Sequence, residues 1–210
     1  KKKEYYWPAS ANAAMAEIMR SLFAATSDPN KASIEALESS NYVSYQAAAP
    51  LDQLEASAAY GKMIAKAVFE WSKSDGFLNP VPPFTMPIGP GNWIPTPPSF
   101  GPPVATNWGT FRSFYPNIAD KTQPGPPTLY SEIPSSDFYK MANHVYEVSQ
   151  NLTTDDILLA KTWADIPGNY NGQGHFTNVL TQILGEQNSN LETAAYAYAK
   201  HGMAIADAAI

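Results

Sequence analysis

The most strongly periodic stretch of this chain is residues 51–74, LDQLEASAAYGKMIAKAVFEWSKS. Its large apolar residues recur at helical spacing: Leu54, Tyr60, Ile64, Val68 and Trp71. Such a pattern is typical of an amphipathic α-helix that packs one face on a core. Asp75-Gly76 follows as a helix stop, because glycine readily takes the left-handed conformation that ends many helices. The fold is therefore predicted to be built on helices.

The rest of the chain supports an all-α fold. Upstream, helical patterns cover 9–25 and 31–48, and Pro50 closes the second of them. Downstream helices are predicted at 138–150, 157–163, 175–185 and 191–210. Ser136, Thr153 and Asn190 stand where helix-capping residues are preferred. Pro167-Gly168 breaks the last third before a loop at 169–174. We expect a helical bundle of about six or seven helices.

A proline-rich stretch interrupts these helices. Of the 19 prolines, 14 lie between Pro80 and Pro127. Proline removes a backbone donor, so the stretch is predicted to be neither regular helix nor central strand. It also carries aromatic residues that a solvated linker would lack. These are Phe84, Trp93, Phe100, Trp108, Phe111, Phe114 and Tyr115. We expect an ordered loop that buries its rings on the helices.

The chain is accordingly divided into N-terminal helices at 1–79, a proline- and aromatic-rich excursion at 80–134, and C-terminal helices of the same domain at 135–210. The last helix runs to Ile210 without a Gly, Asn or Pro stop. Its final carbonyls and apolar face need partners. We therefore expect the polypeptide to continue past Ile210.

Composition excludes several classes of protein. The net charge is −6 with only two arginines, and the only basic cluster is 1–3, so nucleic-acid binding is not expected. There are no cysteines, which excludes disulfides and thiolate chemistry. No apolar run reaches the roughly 20 residues that a membrane-spanning helix requires. The aromatic content of 12% favours broad packing surfaces or a lined cleft.

No complete catalytic or metal-binding motif occurs in the sequence. Three histidines are present. His144 and His201 are interpreted as packed or surface residues of helices. His175 follows Gly172-Gln173-Gly174 at a loop-to-helix junction, where a side chain can project into a cleft. Packing of His175 on Trp163 or Tyr170 is an equally good interpretation, and both stay open.

Several segments together resemble the N-terminal helical half of bacterial vanadium-dependent haloperoxidase-related proteins, of the type 2 phosphatidic acid phosphatase superfamily. They are SAAYGKMIAKAVFEWSKSDG (57–76), PIGPGNWIPTPPSFGPPVATNWGTFRSF (87–114), YSEIPSSDFYKMANHVYEVSQNLT (130–153), WADIPGNYNGQGHF (163–176) and LETAAYAYAKHGMAIADAAI (191–210). GPGNWIPTPP and the final ADAAI are the most specific parts. Two positions depart from the family pattern, since Ser113 and Gln173 stand where a proline is expected.

The resemblance implies an oxyanion, phosphate or vanadate, held by a lysine, two arginines and a Ser-Gly-His segment, with a further histidine as ligand. Fixed cationic donors would neutralise that oxyanion. No Ser-Gly-His is present and neither arginine lies in a matching motif, so no catalytic, cofactor-binding or metal-binding residue is assigned. The resemblance implies only pocket-lining positions in this chain. They are Trp93, Trp108, Arg112 and His175.

Two functions from different classes follow. The first is the N-terminal scaffold portion of a phosphatase-like or vanadium haloperoxidase-like protein, inactive without its oxyanion-binding residues. Its partner would be the missing C-terminal catalytic part or a second copy, and the family implies a periplasmic or cell-surface location. The second is a helical module without catalysis that stacks glycans on Trp93, Trp108 or Tyr170.

Overall fold

The computed structural model describes residues 4–165 and 170–210, and every helix in it is α-helical except one short 3-10 turn. The helices are α1 (Trp7–Leu22), α2 (Asp28–Tyr45), α3 (Leu51–Ser72), a 3-10 helix (Trp108–Thr110), α4 (Ile118–Thr122), α5 (Asp137–Gln150), α6 (Thr154–Trp163), α7 (Gly172–Glu186) and α8 (Leu191–Ala208). No strand occurs among these residues. The predicted all-α fold is confirmed.

Helix boundaries follow the capping residues. Ser136, Thr153 and Asn190 each accept a hydrogen bond from a backbone N–H of the helix that follows, as predicted. α1 and α2 begin two to three residues earlier than predicted because a proline occupies the first turn of each, where its fixed φ favours helix. The basic cluster 1–3 and the break at Pro167-Gly168 lie outside the described residues.

The chain forms two compact units, Lys1–Asn79 and Pro80–Ile210. In the N-terminal unit, α1 crosses α3 along a seam of small residues. The buried residues of the seam are Ala9, Ser10, Ala13 and Ala16 on α1 with Leu54, Ser57, Gly61 and Ala65 on α3. A Cβ added at Gly61 would lie 2.0 Å from the backbone oxygen of Ser10. Glycine is therefore required where the two backbones approach most closely.

The large apolar residues predicted to face this core mostly do not. Only Leu54 is buried, while Ile64, Val68 and Trp71 remain more than 40% exposed. The reason is steric: a close crossing accommodates small side chains and leaves larger ones at its margins. α2 contacts α1 and α3 through ion pairs and does not add to the small-residue seam. Arg20 of α1 pairs with Glu38 of α2, and Lys62 of α3 lies 3.6 Å from the same carboxylate.

The proline-rich stretch of the C-terminal unit departs from prediction in two ways. It contains the 3-10 helix and α4, which begins just after Pro116 because Asn117 turns the chain through the left-handed region. Its rings also stay exposed, Trp93 by 51% and Phe100 by 61%. Two of them, Phe84 and Phe100, line a cavity of about 500 Å³ together with prolines of the same stretch.

Asp207 links this stretch to α8 within the unit, and Gly91 and Tyr130 approach each other inside the stretch. Asp207 of α8 accepts hydrogen bonds from the backbone N–H groups of Phe114 and Tyr115 at 2.7 and 2.8 Å. Gly91 has φ +79°, and a Cβ there would lie 2.6 Å from Cγ of Tyr130. The proline-rich stretch is thus an ordered loop. Polar and backbone contacts hold it in place more than burial of its aromatic side chains does.

The C-terminal helices bury little. α7 contacts α8 through Thr177 and His201 and through Thr181 and Tyr198. Leu184 of α7 is the one apolar residue of this unit that is buried in the described part of the chain. Within residues 4–165 and 170–210, no helix combines the length and apolar character needed to cross a membrane.

Candidate functional site

The candidate site lies where α6 ends and α7 begins. α6 closes at Trp163, and Asp165 follows with φ +46°, a conformation that non-glycine residues seldom adopt. On the other side, Asn171 caps α7 by accepting a hydrogen bond from the Gly174 N–H at 2.6 Å. A Cβ at Gly174 would lie 2.9 Å from that capping oxygen, which explains why glycine precedes His175. The first turn of α7 is thereby fixed.

This geometry brings Asp165 and His175 together. His175 Nδ1 lies 2.8 Å from Asp165 Oδ1, although the residues are ten positions apart. The two side chains are only 12% and 18% exposed. A carboxylate on one ring nitrogen of histidine favours the tautomer with the proton on that nitrogen.

Two aromatic rings stack on the histidine. The Trp163 ring stacks on it with centroids 4.6 Å apart and planes inclined by 21°. The Tyr170 ring stacks at 5.3 Å and 20°. Stacked rings restrict rotation of the imidazole, so that its orientation is set before any ligand binds. The sequence left packing and function open as alternatives for His175. The structure shows the packing on both predicted rings, together with an acidic partner.

Trp93, Trp108 and Arg112 belong to a different part of the unit. Trp108 starts the 3-10 helix and its ring lies 6.1 Å from that of Phe111. Trp93 and Arg112 are exposed side chains of the proline-rich stretch. The ring contacts of His175 are to Trp163, Tyr170 and Phe176, and its side-chain hydrogen bond is to Asp165. The pocket-lining role of these four residues stays a prediction.

Sequence reasoning missed the pairing of Asp165 with His175. His175 was expected either to pack on Trp163 or Tyr170 or to project into a cleft, and no acidic partner was predicted for it. In the structure Asp156 serves a separate task, a capping box in which it accepts a hydrogen bond from the Thr153 N–H. The signal for the pair was an acid just after a helix end and a histidine just inside the next helix start.

The two arginines of the chain lie in different compact units. Each compact unit contains one arginine, and Arg20 is already paired with Glu38 and lies 4.0 Å from Glu17. A phosphate or vanadate site of the kind implied by the resemblance needs several converging cations. The described part of the chain also contains no group of three or more His, Asp or Glu side chains placed to hold a metal ion.

Comparison with known proteins shows a strong structural similarity. No family model and no curated protein sequence matches the chain. The crystal structure of the first bacterial vanadium-dependent iodoperoxidase matches with a TM-score of 0.79 and 26% sequence identity. The match covers 99% of this chain and 50% of the iodoperoxidase, so the chain spans about half the length of that protein. This similarity confirms the relationship predicted from the sequence segments: the chain is related to the vanadium-dependent haloperoxidases.

Proposed function

We propose that this chain is the N-terminal helical scaffold portion of a phosphatase-like or vanadium haloperoxidase-like protein of the type 2 phosphatidic acid phosphatase superfamily. The observation that carries the proposal is the similarity to the iodoperoxidase along 99% of this chain but only half of that protein. The oxyanion-binding lysine, arginines and Ser-Gly-His segment belong to another part of the complete polypeptide. The family resemblance further supports a periplasmic or cell-surface location.

The exposed surface supports a large partner. The chain exposes 16113 Å². A compact protein of 22.8 kDa would expose ~9,600 Å², and two separate compact domains with the same total mass would expose ~11,500 Å². The excess of at least ~4,600 Å² is as large as the area buried in obligate interfaces. Such an area is too large for isolated surface residues and points to an extensive covering element.

The C-terminal unit provides most of the candidate interface. Met141, Val145 and Val148 form a stripe on α5 at helical spacing, and Val145 is 69% exposed. Leu158 and Leu159 of α6 are also more than 60% exposed. We assign this surface to the part of the complete polypeptide that carries the oxyanion-binding residues. Burial of these side chains would contribute to stability in proportion to the apolar area removed from water.

The complete protein would act on phosphate monoesters, or on halide and hydrogen peroxide with bound vanadate. In either case, positive groups outside this chain would hold the oxyanion. The role of this chain is to provide the helical framework and the junction between α6 and α7. The isolated 210 residues would therefore show neither activity.

Parallel assays test this proposal. Phosphatase activity, and halide oxidation with added vanadate and peroxide, are measured for the 210-residue chain and for a polypeptide that extends past Ile210. We expect activity only in the longer polypeptide. Equal rates in the two would contradict the proposal, as would the absence of both activities from a folded longer polypeptide.

A second candidate function, glycan binding, is favoured by one observation: Trp93 is half exposed on an ordered loop. Exposed indoles on fixed loops provide flat stacking surfaces with little loss of side-chain entropy. Tyr170 is less suitable than the sequence indicated, because its ring already stacks on His175. Tryptophan-fluorescence titration with several oligosaccharides tests this function, and a flat response with every sugar would exclude it.

A further inference from the structure

We propose that α2 is a detachable helix of the N-terminal unit, held against α1 and α3 by ion pairs centred on Glu38 and released when those charges are screened. The ion pairs form a charge network of five side chains: Glu17 and Arg20 of α1, Glu38 of α2, and Lys62 and Lys66 of α3. This inference concerns the N-terminal unit alone and does not depend on the function proposed above.

The first argument is how little of α2 is buried. α1 and α3 each bury four residues along their shared seam, whereas no residue of α2 is buried. Leu37 and Val43, two large apolar residues of α2, are 64% and 62% exposed. Burial of apolar surface therefore holds α1 to α3 but contributes little to holding α2. Segments with few buried apolar contacts open at a lower free energy than the core of a unit.

The second argument is the composition of the α2 face that is partly covered. Intervals of three and four residues place its members on one side of the helix. They are Ile34, Glu38, Asn41, Tyr42 and Tyr45. At one end Ile34 lines a cavity of about 340 Å³, and at the other the Tyr45 ring lies 5.4 Å from that of Tyr6. The middle of the face is polar, because Glu38 and Asn41 occupy it.

The charge network lies at this polar middle. Arg20 donates a hydrogen bond to Glu38 Oε2, and Lys62 Nζ lies 3.6 Å from Glu38 Oε1, so that α1 and α3 both reach one carboxylate of α2. Arg20 and Lys66 lie 4.0 and 3.7 Å from the Glu17 carboxylate. The two carboxylate side chains are less than 20% exposed, but those of the lysines are 44% and 67% exposed. Dissolved ions can therefore reach the network from its lysine side.

Two hydrogen bonds between α1 and α2 do not depend on charge. Asn12 Nδ2 donates to the backbone oxygen of Glu38 at 2.9 Å, and Asn41 Nδ2 donates to Asn12 Oδ1 at the same distance. Neither bond uses the Glu38 carboxylate. The charge network thus supplies the part of the attachment that salt or a neutral side chain at position 38 can remove.

Release of α2 would leave the seam of α1 and α3 intact. The face of α1 that it would uncover includes Asn12, Glu17 and Arg20, which are polar and gain hydration when exposed. Little apolar surface would enter water, so the opening lacks the main penalty that keeps a core helix in place. The N-terminal unit therefore has an attached and a detached state of α2, and ionic strength sets their ratio.

Hydrogen exchange of the 210-residue chain, followed by mass spectrometry, tests this inference. It is measured at about 0.1 M and about 1 M NaCl, between which the Debye length falls from ~10 to ~3 Å. We expect the α2 amides to exchange about 5-fold faster at the higher salt, relative to those of α1 and α3. Glu38→Gln should accelerate α2 by a similar factor at the lower salt and remove most of the salt dependence.

Glu35→Gln is the matched control, because Glu35 is an exposed acid one turn away on the same helix. It should match the unsubstituted chain at both salt concentrations. The same salt dependence of α2 in Glu38→Gln and in the unsubstituted chain would overturn the inference. Parallel acceleration of α1, α2 and α3 would also overturn it, because the three helices would then open as one unit.

Circular dichroism verifies that each variant folds. If Glu38→Gln does not fold, the unsubstituted chain decides through its own response to salt. Faster exchange confined to α2 supports the detachable helix, and unchanged exchange of α2 between the two salt concentrations contradicts it.

Discussion

The two compact units of this protein are stabilised in different ways. In the N-terminal unit, α1 and α3 bury a continuous seam of small residues around Leu54. In the C-terminal unit, Leu184 is the one buried apolar residue of the described part, and the proline-rich stretch is held by polar contacts such as those of Asp207. The N-terminal unit therefore has a small buried core of its own, with large side chains such as Val68 exposed at its margins, whereas the described apolar residues of the C-terminal unit are almost all left unburied.

This difference explains where function is expected. A unit that buries its own side chains can fold around a fixed geometry without a partner. A unit with exposed apolar helices gains stability only when they are covered. The His175–Asp165 pair lies in the second unit, at the junction of α6 and α7. The two units can be distinguished by substitutions that should affect one and not the other.

The largest effect is expected at Leu54, which is fully buried. Leu54→Ala should lower the free energy of unfolding of the N-terminal unit by about 3 kcal/mol, because it removes buried methyl groups and leaves a cavity. Leu158→Ala on α6 is the matched control, since that side chain is 63% exposed and should change stability by less than about 0.5 kcal/mol. Urea denaturation followed by circular dichroism measures both. Similar losses in the two variants would remove the contrast between the units.

Two glycine-to-alanine substitutions should change the stability of the protein in opposite directions. Gly61→Ala should destabilise the protein by about 2 kcal/mol, because its Cβ would overlap the backbone of Ser10. Gly202→Ala on α8 has no atom within 4 Å of its Cβ and should stabilise the helix by about 0.5–1 kcal/mol. Thermal unfolding of the two variants compares them directly. A stable Gly61→Ala variant would show that α1 and α3 do not cross as closely as described.

Removing a polar contact in the C-terminal unit should lower the free energy of unfolding by less than the two core substitutions. Asp207→Asn should cost about 1.5 kcal/mol, because an amide retains one acceptor oxygen where the carboxylate offers two to the N–H groups of Phe114 and Tyr115. Hydrogen exchange at those two amides should accelerate. Glu35→Gln, an exposed charge removal on α2, serves as the control. Unchanged exchange in Asp207→Asn would mean that the loop is held by other contacts.

The smallest effect is expected at the start of α6. Thr153→Ala should cost about 0.5–1 kcal/mol by removing the N-cap hydroxyl. The side-chain and backbone hydrogen bonds of Thr153 hold the pKa of Asp156 below its ordinary value of 3.8. The cap therefore stabilises the folded state above about pH 3.8 and loses this contribution as the pH falls through the lowered pKa. Helicity measured from pH 6 to 2 should depend less on pH in Thr153→Ala, and identical curves would contradict this assignment.

The sequence allowed much of the fold to be predicted for physical reasons. Capping residues such as Ser136, Thr153 and Asn190 act locally, so their helix starts were predictable. The small-residue seam was not predicted, because periodicity draws attention to large side chains and close crossings depend on glycine and alanine. The pairing of Asp165 with His175 accompanies a left-handed backbone angle at Asp165, which aspartate tolerates but which the sequence does not require. The pairing of Asp165 with His175 therefore could not be predicted without the three-dimensional structure.

Hydrogen exchange of α5 and α6 tests the central claim most directly. It is compared between the 210-residue chain and a polypeptide that extends past Ile210 and includes the oxyanion-binding residues. If the C-terminal unit is a surface for that part, the amides of α5 and α6 should exchange rapidly in the shorter chain and become strongly protected in the longer one. The amides of α1 and α3 should be protected in both. Equal exchange of α5 and α6 in the two polypeptides would contradict the account.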